Sequence, residues 1–297
     1  MYIAFRNRMK IILKLFFEIL CFLVLLFSSI VGVKAATGGS GFAIYHANAF
    51  VFTYEWHSGI QYLPDINSTN AIIHEGKADN NTSTNEHTGV NYCSKNRFLN
   101  YQPFRGYYRP VQSISSAERD IVKQKANQLT LFEISYSLTH QMNYESILPG
   151  DKVEPLEITN IRCDGVVEYC YEYNSFKIYG TGNKNEWDGN RALWDITYKN
   201  TPASVHSIIH ISPKKQAEMF MVNLLGDLDA DCNVSTEDAR LAIRFAIGEE
   251  IPNSYQEFVA DVDGNGSITT EDARLILRFA VGLETVFPAD PINNDLL

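Results

Sequence analysis

A duplication near the C-terminus limits what this chain can fold into. GDLDADCNVSTEDARLAIRFAIG (Gly226 to Gly248) is echoed 34 residues later by ADVDGNGSITTEDARLILRFAVG (Ala260 to Gly282), and self-similarity of this length marks a repeated supersecondary unit. Each copy opens with oxygen donors at alternate positions. They are Asp227, Asp229, Asp231, the Asn233 carbonyl, Ser235 and Asp238 in the first, and Asp261, Asp263, Asn265, the Ser267 carbonyl, Thr269 and Asp272 in the second. Calcium is a hard cation that takes six to eight oxygens, and a twelve-residue loop supplies them from positions 1, 3, 5, 7, 9 and 12. The spacing therefore predicts two Ca2+ ions. A single amphipathic helix follows each loop, with Leu241, Ile243, Phe245 and Ala246 in one copy and Leu275, Leu277, Phe279 and Ala280 in the other. No entering helix of the expected pattern precedes either loop. Position 6 is Cys232 in the first loop and Gly266 in the second, so the first site is expected to be weaker or distorted where a glycine would permit the sharp turn.

Charge agrees with this reading. Residues 224–297 carry 15 acidic and 4 basic side chains, a net −11 against the −10 of the whole chain. That imbalance argues for a cation-binding tail and against nucleic acid as a partner.

A loop followed by one helix, twice over, resembles a type I dockerin, and the resemblance runs from Gly226 to about Leu283. It implies a small all-α calcium-binding domain over residues 224–288, with 289–297 as a tail. It also implies a partner, the cohesin domain of a scaffold protein, as in cellulosomes. The cohesin-facing residues it implies are Thr236, Glu237 and Arg244, with Thr270, Glu271 and Arg278 in the second copy. Because the copies nearly match, either is expected to fit one cohesin surface after a half-turn. A calcium-stabilised cap without a partner is the competing reading.

At the other end, Arg6, Arg8, Lys10 and Lys14 precede an apolar run from Leu15 to Val33, and Val33-Lys34-Ala35 offers small residues at a cleavage site. This reads as a signal peptide over residues 1–36, with export to the extracellular face or a cellulosome and no stable membrane association after cleavage. An uncleaved anchor stays open, since the run is long enough to span a bilayer. About 260 residues remain, enough for one or two domains. Cys21 leaves with the signal, while Cys93, Cys163, Cys170 and Cys232 show neither a disulfide framework nor a zinc spacing.

The segment 37–215 must carry any chemistry. GFAIYH, AFVFTYEW, HSGIQYLP and AIIHEG read as strands, and GYYRPV as another. With period-2 alternation, His57, Gly59 and Gln61 share a face, and a hairpin could bring His57 to His74. SSAERDIVKQKANQL begins with Ser115 and Glu118 as a capping box. In IRCDGVVEYCYEY a helix begins near Cys163, capped by Thr159 or Asn160, with Val166, Val167, Cys170 and Tyr173 on one stripe. A thiol in the first turn, beside Arg162, is expected to favour thiolate, whereas Cys170 reads as core. His57 is the natural proton partner and His74 its orienting neighbour.

WHSGIQYL followed by AIIHEG is similar to the histidine-bearing strands of the NlpC/P60 superfamily of papain-like cysteine hydrolases, and RCDGVVEY to its nucleophile motif. Histidine precedes cysteine, as in the circularly permuted branch that includes YiiX-like and lecithin:retinol acyltransferase-like proteins. Arg109-Pro110, the Ser115 helix and Tyr136 fit that outline, while Asp164 and the position of LPGDKV (Leu148 to Val153) depart from it. The resemblance implies an α+β papain-like domain, an antiparallel sheet with packed helices. Cys163 would be nucleophile, His57 base and His74 the third polar residue, with no cofactor. The implied substrate is an amide in a peptide, peptidoglycan or plant material. Three alternatives remain: His206 or His210 serving Cys163, ester or acyl-transfer chemistry, and a non-catalytic binding module.

Overall fold

A computed structural model of the chain describes residues 36–47, 56–76, 89–179, 195–201, 207 and 211–290. The signal segment, most of AFVFTYEW, His206 and His210 lie outside the described residues. No helix among the described residues is long and apolar enough to cross a membrane.

Short apolar runs bounded by turns build the main sheet. β1 (Ala43–His46), β2 (His57–Gln61), β3 (Ile72–Gly76), β4 (Gly89–Cys93) and β5 (Phe104–Pro110) are joined by a late strand, β9 (Met221–Asn223), in the order β4-β3-β2-β1-β5-β9. Every pairing in it is antiparallel. A smaller sheet sets β8 (Ile158–Ile161) between β6 (Ser135–Tyr136) and β7 (Met142–Tyr144). Helix α1 (Lys95–Leu99) follows β4, and α2 (Ser116–Leu129) carries the capping box formed by Ser115 and Glu118.

Register decides which side chains meet. Opposed residues project to the same face of a sheet, so the pairs Tyr45 with Ser58 and His46 with His57 lie on opposite faces. Phe98 of α1 packs its ring 5.0 Å from His46, 5.3 Å from His57 and 5.7 Å from His74. The other face receives α3 (Cys163–Glu172), a helix buried along its whole length. Its N-cap is Arg162; Thr159 and Asn160, expected as caps, belong to β8 instead. The amphipathic stripe expected from sequence is thus a central helix, and Phe176, Ile178, Tyr179 and Ile196 are buried with it.

The interval 216–223, which the sequence leaves between two domains, contains no extended linker. A short helix over Pro213–Lys215 widens into a π-helical turn over Gln216–Phe220, and β9 pairs with β5 immediately before the first loop. The tail then forms α4 (Thr236–Ala246), α5 (Ser254–Ala260) and α6 (Thr270–Ala280). Helix α5 enters the second loop directly, correcting the expectation that neither loop has one. It also fastens the two halves together. Tyr255 is fully buried, with ring centroids 5.9 Å from Phe42 and 4.9 Å from Tyr107, while Phe258 lies 4.7 Å from Phe104.

Candidate functional site

The two Asp-rich loops have the same internal wiring. The first carboxylate accepts from the backbone at positions 5 and 6: Asp227 from Asp231 and Cys232 N–H at 3.1 and 3.0 Å, Asp261 from Asn265 and Gly266 N–H at 3.1 and 2.9 Å. The last carboxylate closes each loop. Asp238 accepts from Leu228 and Ser235 N–H, and Asp272 from Val262 and Thr269 N–H, at 2.7 to 3.0 Å. Ser235 and Thr269 also cap the following helices, through Glu237 and Glu271 N–H. Asp229 and Asp231 accept in turn from Asp231 and Asn233 N–H, and Asp263 and Asn265 from Asn265 and Ser267 N–H.

Carboxylate oxygens of Asp227, Asp229 and Asp231 converge within 4.8 Å of one another, as do those of Asp261, Asp263 and Asp272. None of these acids has a cationic partner among the described ion pairs. Burial, then Asp238, pushes the Asp227 carboxyl up to about 7. A concentration of like charge with its oxygens turned inward fits a hard cation, which would supply the missing positive charge.

The expected distortion of the first loop is absent. Cys232 takes the left-handed conformation itself, with φ 73° against 86° at Gly266. Both loops keep the bonds from positions 5 and 6 to the first carboxylate, so the cysteine substitutes for glycine at the cost of local strain.

The residues implied as partner-facing are near-equivalent by the duplication. Thr236, Glu237, Thr270 and Glu271 are exposed. Glu237 pairs with Arg240 and Glu271 with Arg274, while Arg244 pairs with Glu250 at 2.7 Å and Arg278 with Glu284 at 2.8 Å. Sequence reasoning missed the apolar members of this surface. Ile243 and Leu277, read from sequence among the residues defining each amphipathic helix, are 44% and 45% exposed, and Ile247 and Val281 one turn later are more exposed still. Their i,i+4 spacing off the Ala242 and Ile276 stripe is the signal that could have found them.

The N-terminal cluster assembles only in part. His57 Nε2 lies 2.7 Å from His74 Nδ1, and burial followed by the charges of His74 and His46 holds His57 well below the ordinary imidazole range. The expected nucleophile, Cys163, meets β2 at Ser58, the residue after His57. Cys163 is 1% exposed and lies against Ser58, whose side chain leaves β2 on the face opposite to that of His57. One hydrogen-bond chain links that face to the helix start: Tyr45, opposite Ser58, donates its hydroxyl to Gln216, and Gln216 donates to the Asp164 carbonyl.

The electrostatics of the thiol also run against the sequence expectation. Burial, then the Asp164 charge, pushes Cys163 up to about 12 against the opposing influence of Ser58 N–H, Arg162 and the Ser58 hydroxyl. Arg162 cannot act as a free cation, because its guanidinium grips Asp164 in a two-point pair at 2.6 and 2.8 Å. Cys170 is fully buried in the core, and no disulfide joins any of Cys93, Cys163, Cys170 and Cys232. Sharing the Cys163 face is Glu75, 3% exposed, whose carboxyl burial raises to about 8.

Converging carboxylates in duplicated loop-helix units are the geometry of a cation-binding module. Residues 225–279 match the family described as Dockerin type I domain. This part of the chain is a type I dockerin domain. Two solved structures are similar to it, both high-resolution complexes from Acetivibrio cellulolyticus of the third ScaC cohesin with the ScaB dockerin, displaying a type I interaction. One carries a mutation in the N-terminal helix and shares 38% identity; the other carries it in the C-terminal helix and shares 34%. Each match covers 23% of this chain, and 94% and 97% of the matched chains respectively, with a TM-score of 0.22. No curated protein matches the chain.

Proposed function

We propose that this protein is an extracellular cellulosome component that docks through its dockerin onto a cohesin of a scaffold protein, in a calcium-dependent manner. The observation that carries this reading is the pair of equivalently wired carboxylate loops, each followed by a helix with matched exposed residues. Asp227, Asp229, Asp231, Asn233, Ser235 and Asp238 would hold one ion, and Asp261, Asp263, Asn265, Ser267, Thr269 and Asp272 the other. Bound Ca2+ neutralises the loop carboxylates and fixes the angle between α4 and α6. The partner surface would then combine Thr236, Glu237 and Arg244, or Thr270, Glu271 and Arg278, with Ile243 and Leu277. Calorimetric titration with a type I cohesin should give binding in calcium and none in excess chelator. Binding that survives the chelator contradicts the reading.

For the N-terminal domain, a non-catalytic module delivered to the scaffold fits better than a cysteine hydrolase. A hydrolase needs a thiolate within reach of its base, whereas Cys163 is buried against Ser58, and burial with the Asp164 charge pushes its thiol up to about 12. The permuted papain-like amidase reading retains two supporting observations, the His57 to His74 contact and the helix beginning at Cys163. Iodoacetamide separates the two readings. A catalytic Cys163 would be carboxymethylated rapidly at mildly acidic pH, and a structural one would label no faster than Cys170.

A further inference from the structure

The two calcium loops share a backbone but not a neighbourhood. Positions 4 and 6 of each are left-handed: Ala230 (φ 62°) and Cys232 (φ 73°) in the first, Gly264 (φ 76°) and Gly266 (φ 86°) in the second. Glycine adopts this conformation freely, while a residue with a Cβ is strained in it and stays there only when its surroundings hold it. The first loop therefore needs an outside support that the second does not.

That support comes from the N-terminal domain. Arg109 of β5 donates from Nη2 to the Cys232 carbonyl at 2.9 Å, while its Nη1 is anchored on the carbonyls of Pro110 and Val111 at 2.9 and 2.8 Å. The Cys232 thiol donates to the Ile114 carbonyl at 3.4 Å. From α5, itself embedded against Phe42 and Tyr107, Tyr255 donates to the Asp227 carbonyl at 2.8 Å and Gln256 to the Leu228 carbonyl at 3.1 Å. Ala230 and Cys232 are buried as a result. Gly264 and Gly266 are exposed, and no described hydrogen bond joins the second loop to the N-terminal domain.

We propose that the N-terminal domain preorganises the first calcium loop, with Arg109 and the Ile114 carbonyl as positioning groups, so that the first site holds its ion longer than the second. The inference rests on the calcium reading above. A loop already fixed in its bound backbone loses less conformational freedom on taking an ion. Opening it to release the ion also requires breaking the contacts between the domains.

The test is calcium release from the full chain, mixed rapidly with a fluorescent chelator. Wild type should release two ions in two phases. Asp227→Asn should abolish the slow phase and Asp261→Asn the fast one. Arg109→Ala should accelerate the slow phase about tenfold, the scale of a charge-assisted hydrogen bond, and leave the fast phase unchanged. Cys232→Ala keeps a Cβ in the left-handed backbone and removes only the sulfur contact. It should accelerate the same phase about threefold, and it decides the matter if Arg109→Ala does not fold. Release in a single phase, or a slow phase indifferent to both substitutions in folded protein, overturns the inference while leaving the calcium reading intact. Equilibrium dialysis showing no bound calcium overturns both.

Discussion

Burial, then the Asp164 charge, moves the Cys163 thiol upward, the Ser58 hydrogen bonds and the Arg162 charge move it down, and the desolvation is larger. The neighbouring Arg162 guanidinium is shared with Asp164, two residues along, in a buried two-point pair. At Glu75 the same desolvation has a measurable consequence. Its folded value of about 8 stands above the ordinary 4.5, so the neutral carboxyl is compatible with folding. The associated stability is fully present below pH 4.5 and is lost as the pH rises through 8. Glu75→Gln should match wild type in urea midpoint near pH 4 and exceed it near pH 9. At about 1.4 kcal/mol for each tenfold change in proton affinity, the gain there should reach a few kcal/mol. Equal midpoints at both pH values would show that Glu75 is charged or solvated in the folded chain.

At the scale of elements, the loops were the most legible part of the sequence. Their chemistry is written in local spacing: Asp227, Asp229 and Asp231 come together because a twelve-residue loop turns alternate residues inward. The β2 to β3 hairpin was legible for a similar reason, since period-2 alternation within a short connection brings His57 to His74. The face on which α3 packs was not. It depends on contacts such as Tyr45 to Gln216, 171 residues apart, and no local pattern encodes them. Helix α5 also escaped notice, because Tyr255, Phe258 and Val259 bury against residues far away in the chain. The exposed helix faces carry a prediction of their own. Ile243→Asp or Leu277→Asp alone should leave cohesin affinity within about threefold, because the other repeat offers an equivalent face, whereas the double variant should lose at least about a hundredfold, or about 2.7 kcal/mol. A full loss from either single change, measured by calorimetry, would show that one repeat alone carries the interface.

Across the whole molecule, the dockerin is built into the core of its neighbour and does not hang from a tether. Tyr255 is fully buried between Phe42 and Tyr107, β9 extends the main sheet, and Arg109 bonds the first loop. Calcium stabilises the form that binds it, so the tightly packed interface should carry its effect into the N-terminal domain. Chelator should lower the melting temperature of the whole chain in one cooperative transition. A separate, unshifted transition for the N-terminal domain would mean that the interface transmits nothing. The central claim is calcium-dependent docking through two equivalent loops, and its most direct measurement is cohesin titration of the Asp227→Ala, Asp261→Ala double variant beside wild type in saturating calcium. Wild type should bind tightly and the double variant not at all, with the main sheet still folded by circular dichroism. Wild-type affinity in the double variant would contradict the claim.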